Sequence, residues 1–145
     1  MTRANPWQPY QEIATQTASP AQLVLMLYDG AIRFLEQACA GFREDDPLEF
    51  NQTINNNVLK AQAIINELNY SLNMEAGKDC AANLRRLYDY FDRLLQESNQ
   101  RKEEKGISEV IERLTTLRNS WAEMADTMLN DAEVSQPRHA LAEAA

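Results

Sequence analysis

The residues of this chain that could make or break bonds are few and poorly placed for it. His139 is the only histidine and stands close to the C-terminus. Carboxylate–histidine metal sites, paired-histidine haem ligation and a phosphotransfer histidine in a helical core all lose their central group. The acid pairs Asp45/Asp46 and Glu103/Glu104 have the chemistry of a general acid and base. Each pair falls at an expected helix boundary, where acids suit the helix dipole or are simply solvated. Cys39 has only Arg43 as a basic neighbour on its helical face, too little to hold a reactive thiolate, and is assigned to the core. Gly30, Gly41, Gly77 and Gly106 form neither a phosphate-cradling loop nor a dinucleotide fingerprint. Tyr88, Tyr90 and Phe91 could stack a base, but Tyr88 and Phe91 share an apolar stripe, which leaves Tyr90 as an exposed contact. No enzyme activity, cofactor or metal is expected.

The elements that carry these residues read as helices. The stretch Ser19-Pro20-Ala21-Gln22 is a start signal: a capping serine, a proline at the first helical position and a glutamine able to close a capping box. Helix one should run to about Phe42, with Val24, Leu27, Tyr28, Ala31, Phe34, Leu35, Ala38 and Phe42 as its core line. Leu25, Ile32 and Cys39 form a second line. Of the 23 residues from Pro20 to Phe42, 15 are apolar, whereas a helix facing only its own core needs about three per heptad. The surplus is a candidate for burial by another chain.

Asp46-Pro47-Leu48-Glu49 repeats the start signal, and Ile54, Val58, Ala61, Ile65, Leu68 and Leu72 mark a second helix that Gly77 is expected to stop. Leu59, Ile64 and Tyr70 lie off that stripe. A third helix is expected from about Asp79, with Leu84, Leu87, Tyr88, Phe91, Leu94 and Leu95 in register, ending in the charged run Arg101–Lys105 before Gly106. A fourth carries Ile107, Val110, Ile111, Leu114, Leu117, Trp121, Met124 and Met128 on one face. Four helical patterns joined by short polar breaks, without strand-like alternation, predict an all-α, antiparallel up-down four-helix bundle over residues 19–130. Residues 1–18 form a short helical or extended cap segment with two aromatics, and residues 131–145 a small, polar, flexible tail.

Composition limits the partners. The chain has 145 residues with 44% apolar, sufficient for one core without a staple. Its net charge is −8, and its cations at Arg85, Arg86, Arg93, Arg101 and Lys102 are mixed with acids. Neither nucleic acid nor an anionic membrane suits such a surface. The longest aliphatic and aromatic run, Leu23–Tyr28, is far below the roughly 20 residues of a membrane span, and the N-terminus shows no basic-then-apolar leader. A cytoplasmic protein without membrane insertion is expected. Cys39 and Cys80 should lie at opposite ends of the bundle as free thiols.

The order and spacing of several motifs resemble a known family. They are Asn5-Pro6-Trp7 with Tyr10; Thr17-Ala18-Ser19-Pro20 followed by Gln22-Leu23 and Leu25-Met26-Leu27-Tyr28-Asp29-Gly30; Lys60-Ala61-Gln62 with Ile64-Ile65; Glu67-Leu68-Asn69 with Leu72-Asn73; Asn83-Leu84 with Leu87-Tyr88-Asp89-Tyr90; and Trp121. Over roughly residues 5–125 the chain resembles the flagellin-specific export chaperones called FliS, although that family commonly has tyrosine where Trp7 stands here. The resemblance implies a compact bundle that binds the disordered C-terminal region of flagellin in apolar grooves. Such a chaperone blocks premature polymerisation and keeps the client competent for type III secretion. It also implies that Trp7, Tyr10 and Ile13 cap the client groove until flagellin displaces them.

The groove candidates drawn from the surplus apolar positions are Leu25, Ile32, Leu59, Ile64 and Tyr90. Other flagellar export or regulatory proteins are further expected partners, and the chain itself is expected as a monomer or weak homodimer. Two alternatives stay open from the residues: a helical adaptor or homodimerising bundle without flagellin as client, and an enzyme using scattered carboxylates.

Overall fold

The computed structural model describes the backbone of residues 19–134 and the side chains of residues 19–127. The cap positions Trp7, Tyr10 and Ile13 and the C-terminal tail beyond Val134 lie outside the described residues. Four helices follow in order: α1 (Pro20–Gly41), α2 (Pro47–Tyr70), α3 (Met74–Arg101) and α4 (Glu104–Val134). No strand occurs among the described residues.

Local chemistry sets the starts. The Ser19 hydroxyl accepts from the Gln22 N–H at 3.2 Å while the Gln22 amide oxygen accepts from the Ser19 N–H at 3.0 Å, closing the expected capping box with Pro20 in the first turn. Asp46 caps α2 through the Glu49 N–H at 3.1 Å, followed by Pro47.

Two boundaries differ from the sequence expectation. Helix α2 ends at Tyr70, not at Gly77: the Ser71 N–H and hydroxyl close the last turn on the carbonyls of Glu67 and Leu68. Asn73 then caps a new helix by accepting from the Ala76 N–H at 3.1 Å, so α3 begins a turn before Asp79. The glycine signal marks a kink inside α3, where Lys78 takes φ 46° and ψ −120°. The second correction concerns Gly106, which lies within α4. There it lets α4 approach α3, since an added Cβ would overlap the Ser98 hydroxyl and stand 3.0 Å from Leu94 Cδ1. The chain break falls at Lys102, inside the charged run where the third helix was expected to end, in the left-handed region at φ 52°.

The helices pack as a ring. Backbone neighbours are α1 with α2 and α4, and α3 with α2 and α4; no diagonal pair approaches at the backbone. Antiparallel order is visible at both ends of the α1–α4 seam: Arg43 at the end of α1 bonds Glu104 at the start of α4 at 3.0 Å, and Trp121 Nε1 donates to the Ala21 carbonyl at 2.9 Å. The interior is filled by Leu35, Ile54, Val58, Ile65, Phe91, Leu95, Ile107, Val110 and Leu114, all fully enclosed. At the helix faces that meet across the diagonal, the Tyr28 and Tyr88 hydroxyls hydrogen-bond each other. Burial, partly offset for Tyr28 by that bond, raises both phenols above their ordinary value of 10.0.

Candidate functional site

The second apolar line of α1 comes to rest on the α4 side of the helix. Asp29, one turn from both Leu25 and Ile32, bonds Arg118 of α4 at 2.8 Å, and Arg43, one turn beyond Cys39, reaches Glu104. Leu25 and Ile32 are half-buried there, neither core nor free surface. Cys39 is also half-buried and, like the exposed Cys80, is a free thiol. Burial and the nearby Glu104 carboxylate push the Cys39 thiol up, which makes it a poor nucleophile.

Leu59 and Tyr90 stay accessible, at 45% and 36% exposure, but on opposite flanks of α3. Leu59 shares a stripe with Asn55 and Gln62, the side chains of α2 that bond α3. Tyr90 leans the other way: its hydroxyl donates to Glu109 of α4 at 2.6 Å, and the Arg113 guanidinium lies 5.8 Å from its ring centre. Arg113 also bonds Glu109 at 3.3 Å, so the exposed aromatic is held by an acid at its hydroxyl and a cation over its ring. The same hydrogen bond to a carboxylate raises the Tyr90 phenol.

Ile64 is a correction to the groove list. It is fully enclosed in the core, at 0% exposure. The buried arc of α2 is wider than one stripe because α2 faces both α1 and α3, and Asn57, Ala61, Ile64 and Leu68 form a second buried line. The small Ala61 beside Ile64 is the signal that could have placed it. The five groove candidates therefore do not converge: two lie on the α1–α4 side, one flanks the α2–α3 seam, one the α3–α4 seam, and one is internal. Tyr70 at 84%, Leu48 at 63% and Met124 at 40% add exposed apolar area outside that list.

A group of side chains that sequence reasoning passed over joins α2 to α3. Asn99 Nδ2 donates to Asn55 Oδ1 at 2.9 Å, Gln62 Nε2 to Asp92 Oδ1 at 3.1 Å, and Arg85 Nε to Asn69 Oδ1 at 3.2 Å. Among the described residues, no group of three or more potential ligands is placed to hold a metal. No described helix is long and apolar enough to cross a membrane.

Four antiparallel helices packed in a ring, with apolar side chains left partly open on several seams, define an all-α up-down helical bundle. Residues 3–128 match the model of the family described as flagellar protein FliS, and the chain belongs to that family. It is similar to the flagellar secretion chaperone FliS of Bacillus subtilis, 33% identical over 131 residues that cover 90% of this chain and 94% of that protein. The FliS chaperone of Salmonella typhimurium is 35% identical over 115 residues, 79% of this chain and 82% of that protein. That of Escherichia coli is 30% identical over 127 residues, 87% and 88% of the two chains.

Proposed function

We propose that this chain is a cytoplasmic export chaperone whose client is the disordered C-terminal region of flagellin. The observation that carries the proposal is the family match over residues 3–128, which covers α1, α2 and α3 and all but the last residues of α4. The half-buried or exposed Leu25, Ile32, Leu59 and Tyr90 supply apolar contacts, spread over more than one seam. That spread suits an extended client that wraps the bundle and folds against it segment by segment, giving up its ordering entropy as it docks. Ile64 contributes from below, by holding α2 in place. Holding the client in this way prevents premature polymerisation and keeps it competent for flagellar type III secretion.

Trp7, Tyr10 and Ile13 act in this proposal as a competing plug over part of the groove. A plug closed nine-tenths of the time weakens apparent affinity about tenfold, or roughly 1.4 kcal/mol. It therefore tunes binding without deciding it.

The test is a titration of the full chain with a peptide of the flagellin C-terminal region, followed by calorimetry and far-ultraviolet circular dichroism. A stoichiometric soluble complex with a gain of helicity is expected. Absence of binding at about 50 μM peptide, already a weak affinity, rejects flagellin as the client.

A further inference from the structure

The three hydrogen-bonded pairs between α2 and α3 are not scattered. On α2 they come from Asn55, Gln62 and Asn69, and on α3 from Asn99, Asp92 and Arg85. Each step of seven residues along α2 is matched by a step of seven in the opposite sense along α3. That is the spacing at which side chains return to the same face of two packed helices. Gln62 and Asn99 are buried, at 8% and 9% exposure. The ladder is bonded further at both ends: Asn69 also donates to Asp89 at 3.0 Å, and Lys102 Nζ donates to Asn99 Oδ1 at 2.6 Å. No buried polar side chain among those described lacks a partner.

The apolar stripe of α3 cannot by itself choose its height against α2. Leu84, Tyr88, Phe91 and Leu95 recur every three or four residues, so a slide by one helical turn, about 5.4 Å, puts an apolar side chain where another had been. A slide of that size breaks every polar pair at once and places buried amides against non-partners. The regular helix of α3 is bounded by Lys78 and Lys102, the two positive-φ non-glycine residues of the described chain, where a change of backbone angle would accompany such a slide. We propose that the Asn55/Asn99, Gln62/Asp92 and Asn69/Arg85 ladder is a register lock that selects one axial position of α3 against α2. By holding α3 at one height, it sets the offset between Leu59 on α2 and Tyr90 on α3. The lock acts whatever the client is.

The experiment uses the full chain with Cys39 and Cys80 replaced by serine and spin labels at Gln52 and Arg86, both exposed. Arg86 lies opposite the level of Leu68, so the labelled backbones are about 24 Å apart along the bundle axis at 1.5 Å per residue, and a slide changes their distance almost directly. With the native ladder, one narrow distance is expected. In N55L/N99L/Q62L/D92L, which makes two rungs apolar, a second population displaced by about 5 Å is expected, without loss of helicity or of thermal midpoint. A single unchanged distance in that variant overturns the lock. Should that variant fail to fold, N55A/Q62A/N69A deletes the α2 half of all three rungs without added bulk and is read the same way: a broadened or split distance supports the lock, and an unchanged one overturns it.

Discussion

Ile64 and Leu59 stand five residues apart on α2, and both were candidates for client contact from sequence alone, yet they are expected to respond to truncation in opposite ways. Ile64→Ala removes three carbons from a fully enclosed site. At about 0.8 kcal/mol per buried carbon the transfer loss is roughly 2.4 kcal/mol, and the cavity left among rigid helices raises the total to about 3–4 kcal/mol. For a bundle of this size that corresponds to a fall of about 10 °C in thermal midpoint. Leu59→Ala takes the same kind of carbon from a side chain 45% exposed and is expected to stay within about 0.5 kcal/mol of the parent. Urea unfolding of both variants supplies the free energies, and titration with the flagellin C-terminal peptide supplies the affinities. Leu59→Ala should weaken binding while leaving the unfolding curve in place. The reasoning is refuted if Ile64→Ala costs less than about 1 kcal/mol, or if Leu59→Ala destabilises as much as Ile64→Ala does.

Three other outcomes follow from particular contacts. Burial raises the Tyr28 and Tyr88 phenols above 10.0, so their contribution to stability is intact below pH 10 and declines as pH climbs through the folded values. Above pH 10 the unfolded chain ionises where the folded chain does not, and Tyr28→Phe/Tyr88→Phe should flatten the alkaline fall in melting temperature; an unchanged fall would assign it elsewhere. Gly106→Ala would ordinarily favour a helix, but here the added Cβ meets Ser98 and Leu94. A net loss of about 1–3 kcal/mol by calorimetry is expected, and a gain would mean that the α3–α4 crossing yields easily. Lys78 holds φ 46° and ψ −120°, a conformation suited to glycine, so Lys78→Gly should stabilise by about 1 kcal/mol in denaturant unfolding, and a loss of stability would contradict the strain.

The bundle was legible in the chain because helical periodicity and capping are local. Ser19 with Gln22, Asp46 with Pro47, and the apolar lines of three-and-four spacing all report on neighbours within a turn or two, and the structure uses them with two exceptions among the described residues, Met124, which is exposed, and Leu72, which lies past the end of α2. Leu25 and Ile32 were legible as a line apart from the core stripe and are half-buried, whereas Cys39, assigned to the core, is also only half-buried. The end of α2 and the start of α3 were misplaced because Gly77 was taken as a stop, and the start of α4 was set past Gly106, whereas α3 ends in the charged run 101–105 as expected. Both glycines lie inside helices, one just before the Lys78 kink and one at the close approach of α4 to α3.

Helical phase says which residues share a side of a rod, but it is silent on how many rods that side will meet. Composition and spacing alone sufficed for four amphipathic helices, their order and the motifs of the family. Packing assigned the rest. Ile64 became core because α2 is flanked by both α1 and α3, Leu59 and Tyr90 parted to opposite flanks of α3, and amides separated by tens of residues met as pairs. Those outcomes depend on crossing angles and axial offsets between helices, quantities set by packing and hydrogen bonds between residues distant in the chain and carried by no single segment of it.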